Sequence, residues 1–312
     1  MQQNYTFSPV TRLFVAFVLI ISITSCQSGQ KKADKEATID DFIAEDVIFD
    51  DINKAKKIFY SLPSPLETAM IIKSAGAKYD QEILNSLDNV EKYNTNRSMA
   101  LNLGIYTTDL SFASLFEQTQ TSIDYMTAAK VMAEGLDITD AINAETMKKL
   151  EENLNNREVV MDIISETFLN SSSYLKENER QDVAAIVLVG GWIEGLYLAS
   201  QLTANQPVKD NKLVDRILEQ KLSFNIVQRL LEDNKTKADG SINNDIVDLI
   251  AQLQDLKLAF DKVNVETTEP TVDTPDAAGV TTIKSKTTVS VEPEDFKALQ
   301  LTINNLRTSF IQ

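Results

Sequence analysis

Histidine is absent from this 312-residue chain, and cysteine occurs once, as Cys26. The missing imidazole removes the commonest general base, the commonest metal ligand and every Ser-His or Cys-His nucleophile. A lone cysteine forms no intrachain disulfide, so the core alone must stabilise the fold. Glycine is scarce at 9 residues, and no phosphate-binding glycine-rich loop occurs. We therefore expect no cofactor and no metal site, and we favour a protein that is not an enzyme.

Positive charge is also in short supply, with 30 Lys and Arg against 46 Asp and Glu, a formal net charge of −16. Removal of residues 1–25 takes away one Arg and no acid, which leaves −17. An excess of this size repels nucleic-acid phosphates and anionic lipid surfaces. We expect neither to be a partner of the body of the protein.

The N-terminal region carries a short apolar run at residues 13–21, preceded by Arg12. Nine residues suit the core of a signal sequence and are too few to span a bilayer. With Ile23-Thr24-Ser25-Cys26, the region resembles the signal of bacterial lipoproteins. That resemblance implies cleavage before Cys26, a thioether from its sulfur to diacylglycerol, and acylation of the new amine by a fatty acid such as palmitate.

Two alternatives to lipidation remain open: an ordinary secretory signal cut near Ser25, and an uncut N-terminal anchor. All three place the body outside the cytoplasm, and lipidation predicts firm attachment to a membrane. Gln27 follows the cysteine in place of the Asp that retains enteric lipoproteins at the inner membrane. We therefore favour the outer membrane of the cell envelope, with the periplasmic or surface side left open.

Composition divides the chain into five segments. They are a signal peptide at 1–25, a polar flexible tether at 26–38, a helical domain at 39–263, a linker with a short extended segment at 264–292, and a C-terminal helix at 293–312 that docks on the bundle.

Apolar periodicity predicts an all-α fold, a multi-helix bundle that could consist of two stacked helical units. Ser64-Pro65-Leu66-Glu67 has the pattern of a capping box, and Gly76 is a credible helix stop. The remaining helices of the domain are predicted at 95–116, 121–134 with Gly135 as its C′ residue, 144–155, 157–177, 180–203, 210–233 and 243–263.

A weak internal repeat supports the two-unit arrangement. Residues 104–114 align with 190–200 at glycine, aromatic, Leu, Ala and Ser positions, and 150–154 align with 218–222. Such similarity fits stacked helical units that share one core. Chance agreement between Leu- and Ala-rich helices is the alternative.

Residues 183–202 contain a single charge, Glu194, and are long enough to cross a membrane. Because they lie mid-chain among amphipathic helices, we favour a central helix that is buried all round. Asp109 has a similarly apolar setting. A buried carboxylate must be paired, hydrogen-bonded or protonated.

These two acids are the candidate site. One hypothesis brings Asp109 and Glu194 together at one pocket, with Tyr106 and Trp192 nearby to bind an apolar ligand. The other has each carboxylate satisfied inside the bundle by a hydroxyl, a Lys or an Arg.

A family resemblance adds to these patterns. Residues 60–67, 109–111 and 190–197, together with the motif ending at Cys26, are similar to a group of uncharacterised helical lipoproteins of Bacteroidota. The resemblance covers residues 50–260. It implies a cell-envelope location and an all-α body, and it brings no activity with it.

The sequence therefore predicts a lipid-anchored envelope protein that acts as a helical binding or scaffolding module. The expected partner is another envelope protein, or a small apolar or cationic ligand in the bundle core. The alternative is an enzyme, or a metal- or ligand-binding protein, that uses Asp109 and Glu194. A third interpretation is a structural element of a larger assembly, which would present a wide apolar patch.

Overall fold

Helices make up most of the computed structural model, which confirms the predicted all-α multi-helix bundle. The structure describes residues 64–138, 144–153, 156–204, 206–237, 239–267, 271–272, 283–284 and 287–312, all of which belong to one compact unit. Cys26, the predicted signal and the predicted tether lie outside the described residues.

The described elements follow one another as ten α-helices, one 3₁₀ helix and four short strands. They are α1 Pro65–Ser74, the 3₁₀ helix Leu87–Lys92, α2 Asn96–Leu115, α3 Thr119–Gly135, α4 Ala144–Asn153, α5 Arg157–Glu177, α6 Gln181–Leu202, α7 Lys212–Asp233, α8 Asn244–Gln252, α9 Gln254–Asp261, β1 Asn264–Thr267, β2 Thr271–Val272, β3 Ile283–Lys284, β4 Thr287–Ser290 and α10 Pro293–Phe310.

Helix α1 starts and stops where local chemistry dictates. The Ser64 hydroxyl accepts from the backbone N–H of Glu67, and the Glu67 carboxylate accepts from the backbone N–H of Ser64. This reciprocal pair is the predicted capping box, with Pro65 at the first helical position. Gly76 follows the end of the helix with φ of +88°, a conformation that glycine adopts without strain.

The end of α3 differs from the prediction, because Gly135 is its last helical residue instead of its C′ residue. Asp137 takes the left-handed conformation there, with φ of +56°. Gly135 is small for a packing reason: a Cβ at this position would lie 2.2 Å from Sδ of Met99. The glycine thus allows α3 to approach α2 closely.

The centre of the bundle is the pair α2 and α6, which are buried along most of their lengths. Their backbones touch. A Cβ on Gly104 would lie 2.0 Å from the carbonyl oxygen of Val187, and one on Gly190 would lie 2.1 Å from that of Leu101. At neither position can a side chain be added without moving the helices apart.

These two contacts are reciprocal. Gly104 meets the residue three positions before Gly190, and Gly190 meets the residue three positions before Gly104. Since the two glycines are equivalent in the sequence alignment of 104–114 with 190–200, a local two-fold relation connects the aligned segments. A duplicated helical unit would produce this relation, and duplication itself stays a prediction.

Helix α6 is also the one helix in the described part of the chain that is long and apolar enough to cross a membrane. In its most apolar window, 94% of the residues are buried inside the bundle. This burial is what a central core helix requires, since its apolar surface is already covered by protein.

The C-terminal third departs from the prediction at two places. The single helix expected at 243–263 is two helices, α8 and α9, which meet at Leu253. The predicted linker begins with strand instead of loop. Strand β1 pairs antiparallel with β4, from Asn264 opposite Ser290 to Thr267 opposite Thr287, and β2 pairs with β3.

Helix α10 then returns the chain to the bundle and packs against α6 and α9. Its inward face carries Phe296, Leu299, Ile303, Leu306 and Phe310, all buried, together with one cation, Arg307. This helix brings the residue that completes the candidate site.

Candidate functional site

The two candidate carboxylates meet at the centre of the bundle. Asp109 lies on α2, Glu194 lies on α6, and both have an exposed fraction of 0%. They lie close enough for the negative charge of Glu194 to raise the pKa of Asp109. The structure therefore brings together the two acids that the sequence singled out, at the interface between the two central helices.

Glu194 is paired inside the bundle with Arg307 of α10. Its Oε2 accepts from Nε of Arg307 at 2.9 Å, and its Oε1 accepts from Nη2 at 3.0 Å. This parallel two-point geometry is the strongest form of carboxylate recognition. The second sequence hypothesis, in which a carboxylate is satisfied by a basic side chain within the bundle, accordingly describes Glu194.

Arg307 is 6% exposed, and its guanidinium lies 4.4 Å from the ring centroid of Tyr197. Burial lowers the pKa of this guanidinium, but the charge of Glu194 and the hydrogen bonds to it outweigh burial and raise the pKa overall. The arginine therefore stays charged, and the Tyr197 ring faces that charge as in other cation–π contacts.

Asp109 has a different environment. Its Oδ2 accepts from the backbone N–H of Asn85 at 3.1 Å, while its buried Oδ1 has no donor among the described groups. Burial raises the pKa of Asp109 well above its ordinary value, and the negative charge of Glu194 raises it further, against the opposing effect of Arg307. A protonated, neutral Asp109 accounts for both observations.

A second set of polar contacts holds the C-terminal turn of α10 beside the acids. Nδ2 of Asn102 donates to the carbonyl of Phe310 at 2.9 Å, and the hydroxyl of Tyr93 donates to that of Ile311 at 3.3 Å. The side chain of Asn85 links the two, since its Nδ2 donates to Oδ1 of Asn102 and to the Tyr93 hydroxyl. Carbonyls that end a helix without a partner are thus satisfied by the bundle.

The two aromatic candidates are separated. Tyr106 lies on the same helix face as Asp109, one turn away, and its hydroxyl donates to the carbonyl of Ser86 at 3.0 Å. Burial raises the pKa of Tyr106, and nearby Tyr93 and Asp109 raise it further. Tyr106 therefore belongs to the wall around the acids as a neutral, hydrogen-bonded side chain.

Trp192 does not lie beside the acids, which corrects the sequence hypothesis. It is two residues from Glu194 on α6, about 200° around the helix. Its ring packs on Phe224 and Phe260, and Nε1 donates to Oε1 of Gln220 at 3.0 Å. Trp192 therefore anchors α7 and α9 to the other side of α6.

Two cavities among the described helices offer little room for a ligand. One cavity, of about 30 Å³, lies between α2, α3, α5 and α6, where Thr107 and Thr167 contribute to an otherwise mostly apolar wall. A second, also of about 30 Å³, lies beside Trp192 and Thr68. Neither is lined by Asp109 or Glu194. Ligand pockets for small organic molecules measure roughly 300 Å³ or more.

The surface carries a larger concavity, the α9–α10 groove, of about 590 Å³. One wall includes Asp255, Leu258 and Lys262, and the other includes Ala298, Thr302 and Asn305. Leu258 is 62% exposed there, so its side chain is available to a partner.

No group of three or more Asp, Glu, Cys or His side chains that could hold a metal ion lies among the described residues. The buried cluster itself contains two carboxyl groups and one guanidinium. With one proton on Asp109 its charges balance, so it satisfies its own electrostatics without an added cation.

Arg307 is the functional residue that the sequence analysis missed. The available signal was its position on the apolar stripe of α10, four residues after Ile303 and three before Phe310. A lone cation on the buried face of an amphipathic helix requires a buried anion. Two candidates for that anion had already been identified.

Comparison with known proteins gives no relatives for this chain: no family model, no curated protein and no solved structure matches it significantly.

Proposed function

We propose that this protein is a lipid-anchored protein of the cell envelope, attached through Cys26, whose helical body binds or scaffolds a partner protein. The lipoprotein-like segment at residues 13–26 supports the anchor. The α9–α10 groove supports the binding role and is the observation that carries it, because it combines an exposed leucine with a volume that can take side chains of a partner.

A partner protein is favoured over a small ligand in the core. Each of the two interior cavities described above holds about 30 Å³, enough for one or two water molecules. A ligand of ordinary size would have to displace packed core side chains, and interiors of this density resist such changes. The surface groove needs no such rearrangement.

The enzyme alternative has less support. Asp109 and Glu194 have no exposed surface, and both oxygens of Glu194 accept from Arg307. A catalytic pair needs access to a substrate, and this arrangement favours a role in holding α10 in place.

The anchor is tested by fractionation. Cys26→Ser removes the sulfur that would carry the lipid, and because the sequence predicts a signal and a tether around it, we expect the body to fold unchanged. We expect the variant to leave the membrane fraction while the parent protein resists a high-salt wash. A variant that still sediments with washed membranes would show that acylation of Cys26 is not the principal anchor.

The binding surface is tested with two matched leucines. Leu258 lines the groove and is 62% exposed, whereas Leu301 on α10 is 60% exposed and does not line it. After chemical cross-linking and affinity purification of the anchored protein, we expect Leu258→Glu to lose its principal cross-linked partner and Leu301→Glu to keep it. Equal recovery from both variants would exclude the groove as the binding surface.

A further inference from the structure

The buried cluster joins three helices through ionisable groups. Asp109 comes from α2, Glu194 from α6 and Arg307 from α10, and their exposed fractions are 0%, 0% and 6%. Two carboxyl groups and one guanidinium balance in charge only when one carboxyl is protonated. Both oxygens of Glu194 already accept from Arg307, so the proton belongs on Asp109, whose Oδ1 otherwise has no donor among the described groups.

The other ionisable groups that face this cluster cannot replace that proton. Tyr106 on α2, Tyr125 on α3 and Tyr197 on α6 surround it, with Tyr79 and Tyr93 contributed by the segments on either side of the 3₁₀ helix. Burial raises the pKa of each of these phenols. All five therefore stay neutral, and Arg307 is the cation that compensates the acids.

Polar groups of the bundle bind the last turn of α10. Arg307 is bound by Glu194, and the final carbonyls at Phe310 and Ile311 accept from Asn102 and Tyr93. Loss of the Asp109 proton would leave two buried carboxylates with one arginine, Arg307, to compensate them. Separation of α10 from α6 would admit water to both acids and relieve their repulsion.

We propose that the docking of the last turn of α10 is controlled by a single proton on Asp109, so that this turn opens locally when the proton is lost. The direction follows from linkage. Opening restores Asp109 toward its ordinary acidity, so the docked form binds more protons than the open form. Docking is therefore strongest at acidic pH and weakens as the pH rises toward the pKa that Asp109 has in the bundle.

The buried cluster contacts α10, the helix that forms one wall of the α9–α10 groove. Leu306, next to Arg307, lines the groove, as do Asn305 immediately before it and Thr302 one turn before it. Opening of the last turn would change the groove wall. The proposal concerns the helix itself, so it stands whether or not the groove binds a partner.

Hydrogen exchange of the full-length protein across a pH series tests the proposal, after correction for the intrinsic pH dependence of exchange. We expect amides of residues 307–311 to exchange through a local opening of lower free energy than that of amides in α2. Their protection should fall by up to about tenfold per pH unit below the pKa of Asp109. In Asp109→Asn the protection should not vary with pH, because the amide does not titrate in this range.

Two results would overturn the proposal. One is exchange of residues 307–311 at the same free energy as the α2 amides, which would mean that the turn opens only when the whole bundle unfolds. The other is the same pH dependence in Asp109→Asn as in the parent protein. The infrared spectrum provides a check that needs no variant: if the parent protein shows no protonated-carboxyl band in mildly acidic buffer, Asp109 carries no proton and the proposal fails.

Discussion

The contact between α2 and α6 makes a sharp prediction, because it depends on a missing side chain. Gly190→Ala would place a Cβ 2.1 Å from the carbonyl oxygen of Leu101. Carbon and oxygen atoms in close contact across a helix interface lie about 3.3 Å apart, so the two backbones would have to separate by about 1.2 Å. Neighbouring contacts would open with them, including the hydrogen bond from Thr108 Oγ1 to the Gly191 carbonyl at 3.2 Å.

The change in unfolding free energy expected for Gly190→Ala results from two opposing effects. Forcing extra volume into a packed core costs about 1 to 3 kcal/mol and occasionally more, whereas Gly→Ala within a helix gains about 1 kcal/mol. Because the obstruction at Gly190 is backbone, which cannot turn away, we expect the upper end of the cost. The free energy of unfolding should fall by about 2 kcal/mol or more, and the melting temperature by about 4 to 8 °C.

Gly191→Ala is the matched control. It has the same helix, the same propensity gain and a neighbouring position, but its nearest obstruction lies 3.2 Å away. We expect its unfolding free energy to stay within about 1 kcal/mol of the parent value. Urea unfolding followed by circular dichroism measures both variants. Equal effects of the two substitutions would refute the claim that the α2 and α6 backbones touch at Gly190.

Three further predictions concern buried polar groups. Arg307→Met should lower the unfolding free energy by about 3 to 5 kcal/mol, because it leaves a buried carboxylate uncompensated. Lys297→Met, on the exposed face of α10, should change it by less than about 0.5 kcal/mol. Similar losses for both variants in urea unfolding would contradict the role of Arg307 as the partner of Glu194. Since the pKa of Asp109 is raised in the bundle, its contribution to stability is complete below the unfolded-state pKa of about 3.9 and is lost as the pH rises, by at most about 1.4 kcal/mol per pH unit. Asp109→Asn should remove this pH dependence from the unfolding free energies measured by urea titration across a pH series. The same slope in the variant and the parent protein would contradict the prediction. Trp192→Phe should lower the unfolding free energy by about 1 to 3 kcal/mol, because it leaves Oε1 of Gln220 without its donor. Adding Gln220→Leu should recover part of that loss in thermal unfolding, and no recovery would contradict the importance of this hydrogen bond.

Local chemistry explains how far the helices could be predicted. The capping pattern at Ser64 and the glycine at position 76 act within a few residues, so both are readable from the sequence and both are present in the structure. Apolar periodicity gave the centre of each predicted helix for the same reason. The break at Leu253 carries no glycine or proline, so the sequence offered no sign that α8 and α9 are separate.

Contacts between distant segments explain what the sequence did not reveal. Asp109 and Glu194 were identified because a charge on an apolar helix face is unusual, but Arg307 is 113 residues beyond Glu194. Trp192 was grouped with the acids by its proximity in sequence, whereas helix geometry places it on the other side of α6. The short strand β1 was read as a loop because its partner, β4, lies beyond an intervening segment of about twenty residues.

The binding role of the α9–α10 groove is the central claim, and photo-cross-linking in intact cells tests it most directly. A photoreactive side chain would replace Leu258 in one variant and Leu301 in the other, with Cys26 retained in both. We predict a discrete cross-linked protein adduct from position 258 and none of that mass from position 301. The same adducts from both positions, or none from either, would contradict the account.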